Sequence, residues 1–238
     1  MRILLTSILL VITSLAHGQI LISLLLGDKL NSGKIEFGLD GGINYPSIRG
    51  LNDGKLKTGF NLGFYFDIKL KNPQWMVHTG VLVKSSLGTS DLPVYLLNNA
   101  DLDSAFVGGK VERKINYFNV PIMMKYRFKN NFSLEGGFMP SLRAKAYDIF
   151  TNEINGDDLE YKADIRDQIL QLDFGLMAGA GYRLMRGNGM NFTVRYYYGL
   201  RNISAQESMP DQYNQSLYLS IGIPIGVAKA KKKEEEKK

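Results

Sequence analysis

The sequence predicts an all-β protein, an eight-stranded antiparallel up-and-down transmembrane β-barrel that follows an N-terminal signal peptide. Three observations carry this prediction. Eight segments alternate apolar and polar residues with a period of two, and most exceed ten residues, about twice the usual strand length of 5–6 residues. The links between these segments are alternately short and long. Aromatic residues gather beside the short links, as in the interfacial girdles of outer-membrane barrels.

The N-terminal eighteen residues, 1–18, have the layout of a secretory signal peptide. Arg2 supplies a positive charge, an apolar run covers 3–15, and Ala-His-Gly at 16–18 offers a small-x-small cleavage site. An uncleaved anchor is the alternative, because "ILISLLLG" prolongs the apolar stretch. The leucines of the pre-barrel segment, 19–33, favour a short helix at the membrane interface, at the barrel rim or against another membrane subunit. Its candidate contact residues are Leu24, Leu25 and Leu26.

The barrel is predicted to occupy residues 34–227. In "LKTGFNLGFYFDIKL" every second residue from Leu56 to Leu70 is apolar or threonine, and lysine, glycine, asparagine, tyrosine or aspartate lies between. The predicted strands are 34–45, 56–70, 74–88, 116–128, 132–145, 170–184, 190–201 and 216–225. The short links are 71–73, 129–131 and 185–189, and the long links are 46–55, 89–114, 146–168 and 202–213.

The link lengths predict an orientation in an outer membrane. Bacterial outer-membrane barrels have short periplasmic turns and long extracellular loops, which here places both termini in the periplasm. The bilayer core contains no water, so only a closed barrel satisfies every backbone group of such strands, with the apolar face toward lipid. The predicted periplasmic-side girdle consists of Phe66, Trp75, Tyr126, Phe128, Phe132 and Tyr182.

The polar faces of the strands are predicted to fill the lumen with charge. Eight strands enclose an interior just wide enough for side chains. Opposite charges in that space are expected to pair, because breaking a buried pair costs about 3–5 kcal/mol. An ion-selective pathway through these charges is the alternative. The predicted lumen charge network consists of Glu36, Asp40, Asp67, Lys84, Lys125, Arg127, Glu135, Arg143, Asp173, Arg183 and Arg195.

Three segments resemble the outer-membrane β-barrel ("porin family") proteins of Bacteroidota-type bacteria. They are "LLLGDKLNSGKIEFGLDGGINY" (24–45), "YFNVPIMMKYRF" (117–128) and "LDFGLMAGAGYRL" (172–184), and the resemblance covers essentially the whole mature chain. It implies an eight-stranded barrel. Members of this family range from envelope proteins to accessory, PorT-like subunits of a secretion apparatus, so the resemblance implies a role within that range. The resemblance brings no catalytic residues to this chain.

The tail and the long links are the candidate contact regions. The apolar side chains of the links either pack over the barrel mouth, which is the expectation for 89–114, or form a contact patch, and both alternatives stay open for 146–168. The tail, 228–238, is predicted to be a charged periplasmic extension that could meet an anionic partner. Much of the net charge of +6 lies in this tail, so no nucleic-acid partner is expected. Expected partners are outer-membrane lipid and lipopolysaccharide, the barrel-assembly machinery and other envelope proteins. The candidate contact residues are Tyr95, Phe106, Phe150, Tyr161, Lys231, Lys232 and Lys233.

No enzyme, cofactor or metal site is predicted. The absence of cysteine excludes thiolate metal sites and cysteine nucleophiles. Acid–base catalysis needs a histidine close to a nucleophile or a carboxylate. His78 is the one histidine after the signal peptide, and the serines at 85 and 86 lie more than about 20 Å from it along the strand. The acidic stretch 152–160 lacks the spacing of a dedicated calcium loop. The expected function is structural or interactive. A narrow porin-like channel for ions or very small solutes is the alternative, and a lipid-modifying barrel enzyme the remote one.

Overall fold

The computed structural model describes residues 30–51, 54–154, 156–187, 189–206 and 209–226. The strands within them are β1 (Ile35–Arg49), β2 (Gly59–Lys69), β3 (Trp75–Leu92), β4 (Lys110–Asn119), β5 (Ile122–Arg127), β6 (Phe132–Ile154), β7 (Asp157–Asp164), β8 (Leu172–Arg183), β9 (Asn191–Gly199) and β10 (Tyr213–Pro224). The short helical turns are α1 (Ala100–Ala105), a 3-10 turn (Arg166–Gln168) and α2 (Leu184–Gly187). In the described ranges, no helix has the length and apolar character needed to cross a membrane.

All strand pairings are antiparallel, and they lead around the sheet back to its first strand. β1 pairs with β2 and β10, and the series continues through β9, β8 and β6. Both β4 and β5 pair with β6 on one side and with β3 on the other, and β3 pairs with β2. The prediction of an all-β, antiparallel, up-and-down barrel-like sheet is therefore confirmed.

The described residues form ten strands where the sequence predicted eight, for two reasons. Pro121 divides one predicted strand into β4 and β5, because proline has no N–H to donate to a ladder. The register is the same on both sides of the break: Asn119 pairs with Leu82, and Ile122 pairs with Thr79. The other reason is β7, which returns along the far part of β6 through a region predicted as a loop.

Inward and outward faces alternate along the strands as the period of two predicts. In β9 each residue that is buried is followed by one that is exposed, from Asn191 to Gly199. The outward set is apolar and the inward set polar, small or tyrosine. This separation is what a sheet surrounded by lipid on the outside requires.

A β-bulge at Val83 and Lys84 corrects one predicted lumen residue. The pairing of β3 with both of its neighbours slips by one residue there, since Leu62 pairs with Lys84 whereas Gly63 pairs with Leu82. Two consecutive side chains consequently point outward, and both are exposed. Lys84 was predicted to line the lumen but lies outside, with its Nζ 5.6 Å from the ring centroid of Phe60.

The bulge also reverses which side chains of the following part of β3 point into the barrel. Leu87, which the alternation placed on the lipid face, is fully buried in an interior apolar cluster. That cluster fills the half of the barrel toward the long links and includes three tyrosines. Its members are Ile48, Leu82, Leu87, Ile115, Tyr117, Met123, Met139, Ala146, Ile165, Ile169, Met177, Tyr197, Ile203 and Tyr218.

Candidate functional site

The charged part of the interior contains a carboxylate with three cationic or histidine neighbours. Asp67 of β2 accepts from His78 Nδ1 at 2.6 Å and from Lys125 Nζ at 3.0 Å, and Arg127 Nη2 lies 3.5 Å away. Asp67 and His78 are register partners on β2 and β3, so their side chains meet on the same face. Lys125 also lies 4.0 Å from Glu135 of β6, its own cross-strand partner.

Arg195 of β9 joins this cluster to the opposite wall. Its guanidinium donates to Glu135, to Asp40 of β1 at 2.8 Å, and to Nε2 of His78 at 3.1 Å. Arginine can only donate, so His78 Nε2 is the acceptor and the proton of the neutral ring resides on Nδ1, facing Asp67. Both ring nitrogens of the buried histidine are thereby occupied by protein groups.

A second ion pair lies nearer the short-turn end. Arg183 Nη1 is 2.8 Å from Glu36, which also accepts from the Tyr65 hydroxyl at 3.1 Å. Asn191 donates to that same hydroxyl at 3.3 Å. The cavity beside these groups, lined by residues that include Tyr65 and His78, holds only about 10 Å³. That is about the space of one water molecule, so side chains fill this level of the interior.

The remaining predicted lumen charges behave differently from one another. Asp173 is buried and accepts from Asn214 at 2.8 Å beside the interior tyrosines. Arg143 is half-buried on the inward face of β6, and no described carboxylate lies within ion-pair distance of it. The predicted network therefore divides into three sets. Six of its residues form one cluster: Asp40, Asp67, Lys125, Arg127, Glu135 and Arg195. Glu36 pairs with Arg183, and Arg143, Asp173 and Lys84 belong to neither group.

A further buried ion pair near the long-link end was not anticipated. Arg113 of β4 donates two hydrogen bonds to Asp148 of β6, at 2.9 and 2.7 Å, and a third to Gln212 at 3.0 Å. The hydroxyl of Tyr95 donates to Asp148 at 3.0 Å, and burial together with this carboxylate raises the pKa of Tyr95 well above its ordinary value. The missed signal is the dipeptide Asn-Gly at 155–156, which favours a hairpin and would have extended the strand through Asp148.

The six aromatic residues predicted for the girdle all lie on the outward face at the short-turn end. Trp75 and Tyr126 have ring centroids 4.9 Å apart, and the rings of Tyr126 and Phe128 are 4.8 Å apart. Phe128 is 6.1 Å from Phe132, whose register partner on β8 is Tyr182. Phe66 packs at 5.2 Å against Phe37 instead, on β2, the neighbour of the strand that carries Trp75.

The predicted contact residues of the long links divide into exposed and buried ones. Tyr95 and Tyr161 are partly exposed, whereas Phe106 and Phe150 are buried and are not available to a partner. Their rings pack 5.8 Å apart in a small apolar core that also contains Leu92 and Val111. The most exposed large apolar side chains of these links are Leu96, 75% exposed, and Val107, 73% exposed.

Other predictions concern residues that lie outside the described ranges. They are the signal peptide, most of the pre-barrel segment with Leu24, Leu25 and Leu26, and the tail with Lys231, Lys232 and Lys233. Within the described ranges, no group of three or more histidine, aspartate or glutamate side chains is arranged to hold a metal ion.

Solved structures that match this chain do so at low sequence identity. Ail, the attachment invasion locus protein of Yersinia pestis, in complex with the heparin analogue sucrose octasulfate, is 13% identical with a TM-score of 0.44, covering 81% of this chain and 99% of that chain. A second structure of Ail is 15% identical with a TM-score of 0.43 and the same coverage. Neisserial surface protein A is 9% identical with a TM-score of 0.45, covering 79% of this chain and 96% of that chain.

No curated protein matches the chain significantly. A protein family does: the family described as "Outer membrane protein beta-barrel domain" matches residues 27–205, about three quarters of the sequence. The antiparallel pairings, the apolar outward face and the charged interior agree with that match. The chain belongs to the outer-membrane β-barrel domain family.

Proposed function

We propose that this protein is an outer-membrane barrel with eight membrane-crossing strands, closed to solutes, whose role is structural or interactive. The eight crossings are β1, β2, β3, the collinear pair β4 and β5, β6, β8, β9 and β10. We also propose a cleaved signal peptide, periplasmic termini and short turns, and extracellular long links, as the alternation of link lengths favours.

The observation that carries the closed lumen is the ionic cluster around Arg195. Its side chains come from β1, β2, β3, β5, β6 and β9, and therefore bridge the interior from wall to wall. The cavity beside them has room for about one water molecule. An ion crossing at this level would have to separate buried pairs, each at a cost of about 3–5 kcal/mol.

The same cluster argues against catalysis by His78. A general base needs a free ring nitrogen within hydrogen-bond reach of its substrate. Asp67 and Arg195 occupy both nitrogens of His78, and the residue is only 2% exposed. We therefore propose a non-enzymatic protein that uses no cofactor.

The exposed apolar side chains of the long links support an interaction role. Leu96 and Val107 protrude from a segment that has its own apolar core, so they are presented on an ordered support. We propose that this surface, with Tyr95 and Tyr161, contacts another envelope protein. An accessory position in a larger outer-membrane or secretion complex, as in the PorT-like proteins of Bacteroidota, is the specific form of this proposal.

Planar-bilayer recordings of the purified full chain test the closed lumen. We expect no current steps from the wild-type protein. The variant with His78→Ala, Lys125→Ala and Arg195→Ala is expected to give clear current steps, and these steps also show that the protein inserts into the bilayer. Steps of defined size from the wild-type protein would refute the proposal and favour a narrow channel.

Extraction in mild detergent, followed by sizing and identification of co-purifying proteins, tests the interaction role. A defined complex that dissociates on Leu96→Ser and Val107→Ser supports it, and a lone barrel under all extraction conditions contradicts a stable subunit. The non-enzymatic proposal fails if overproduction alters lipid A and His78→Ala abolishes the alteration.

A further inference from the structure

A cleft of about 540 Å³ opens on the outer wall of the barrel, near the long-link end, and reaches in as far as Ser85 and Tyr117. It is bounded by the chain that enters β2 and by β3, β4 and β6. Its charged lining residues are Lys57, Lys84, Glu112, Lys114 and Lys145, and Phe60 and Val83 are the apolar side chains at its edge. Four lysines against one glutamate leave an excess of three positive charges.

Two bulges at the same height create this concentration of lysine. The β3 bulge turns Lys84 outward beside Val83, as described above. The pairing of β4 with β6 slips between Asn116 and Tyr117, where β6 has one extra residue, and Ala144 and Lys145 are consecutively exposed there. Regular alternation would have turned one residue of each consecutive pair into the lumen.

The positive charge of the cleft is only partly compensated. Lys57 is 6% exposed at its side chain, and its Nζ lies 2.8 Å from Glu112 Oε1. Burial lowers the pKa of Lys57, the nearby Lys114 lowers it further, and Glu112 opposes both effects. Among the described residues, no carboxylate lies within 4 Å of the amines of Lys84, Lys114 or Lys145.

The cleft lies where the outward face changes from apolar to charged. The apolar outward residues of β3 run from Trp75 in the aromatic girdle to Val83, eight residues or about 26 Å along the strand, which a strand tilt of about 40° reduces to about 20 Å of height. The apolar band of an outer-membrane barrel is about 25 Å tall. The next outward side chain is Lys84, so the lysines stand at the far border of the band, at the level of lipid headgroups.

We propose that this cleft binds a phosphate-bearing headgroup of a lipid in the leaflet nearest the long links. The lysine ammonium groups would surround the phosphate, and the first methylenes of the acyl chains would lie on Phe60 and Val83. The proposal rests on the membrane placement given above, in which this leaflet is the outer one.

Native mass spectrometry of the folded full chain in detergent micelles, titrated with diphosphoryl lipid A, tests the proposal. The variant carries Lys84→Gln, Lys114→Gln and Lys145→Gln. A lysine near an anionic surface contributes about fivefold in affinity, so the dissociation constant is expected to rise at least tenfold. The matched control, with Lys34→Gln, Lys71→Gln and Lys129→Gln, removes the same charge from exposed positions at the short-turn end and is expected to bind as the wild type.

Folding of each variant is verified by its heat-modifiable electrophoretic mobility. Should the triple variant fail to fold, the exposed single changes Lys84→Gln and Lys145→Gln are expected to weaken binding two- to fivefold each. Equal affinity of wild type and cleft variants, or an equal loss in the control, overturns the site. Displacement of the lipid by an equal concentration of inorganic phosphate overturns the assignment to a lipid. The bilayer recordings fail or succeed independently of these outcomes.

Discussion

Replacing Arg195 by methionine is expected to destabilise the barrel more than any change to an exposed ion pair. The side chain is 5% exposed and contacts Glu135, Asp40 and His78. Its removal leaves Asp40 with no cation in reach among the described residues and Glu135 with only Lys125, at 4.0 Å. Breaking one buried pair costs about 3–5 kcal/mol. Two carboxylates are affected, so we expect a loss toward the upper end, a large part of the 5–15 kcal/mol typical of a folded domain.

The free energy of unfolding can be followed by the fluorescence of Trp75, the only tryptophan. Urea titrations of the folded protein in lipid vesicles give the midpoint, and the slope of the transition verifies that the same surface is exposed on unfolding. Arg166→Met is the matched control, because Arg166 pairs with Asp164 at 2.8 Å on the surface and is expected to leave the midpoint almost unchanged.

A combined variant tests whether the unpaired carboxylates cause the loss. Adding Asp40→Asn and Glu135→Gln to Arg195→Met removes the uncompensated charges and is expected to restore more than half of the lost free energy. A loss below about 1 kcal/mol in the single variant, or no recovery in the combined variant, would refute the claim that the cluster is held together by buried charge pairing.

Three further predictions use the same preparations. Gly42→Ala places a Cβ 2.0 Å from a carbonyl oxygen of β10 and is expected to cost about 1–3 kcal/mol in urea titrations, whereas Gly136→Ala, whose Cβ has open space to 4.0 Å, is expected to cost much less. Hydrogen bonds from Lys55 and Lys110 lower the pKa of Asp91, so its contribution to stability is complete above the unfolded value near 3.8 and is lost as the pH falls through the folded value. The protection factor of the amides at the bridge between Lys55 and Ser90, which is the exchange rate corrected for the intrinsic pH dependence, is expected to fall below pH 4 in the wild type and to stay constant in Asp91→Asn. Phe150→Ala empties the loop core and is expected to speed proteolysis within 93–109 while leaving the mobility of the folded barrel unchanged; unchanged cleavage would contradict the core assignment.

The period of two was sufficient to predict the sheet and most of its faces. In β9 and β10 nothing interrupts the alternation, so inward and outward residues could be assigned from the sequence alone. In β3 one inserted residue reverses the assignment from Lys84 onward, and a bulge has no reliable sequence signature. Leu87 consequently appeared to face lipid although it is buried inside.

The partners within the charge cluster could not be predicted. Which carboxylate meets Arg195 depends on the stagger of strands around the barrel, and the alternation says only that both side chains point inward. Asp67 and His78 are neighbours because their strands share a short turn, and the turn fixes their register. Asp40 and Arg195 lie on strands separated by β10, and only the closed set of pairings brings them to 2.8 Å.

The unequal lengths of the strands make the rim at the long-link end of the barrel oblique. β6 runs for 23 residues, about 76 Å along its path, whereas β9 has 9 residues and ends near the level where membrane-crossing strands normally stop. With β3, β4 and β7 beside it, β6 forms a tall wall on one side, and the opposite side stays low. In the proposed orientation, an antibody or a phage fibre that approaches the cell would first touch the tip of this wall, around the pair Glu153 and Asp158. Sequence variation driven by such encounters is expected to concentrate there, far from the lysine cleft at the foot of the same wall.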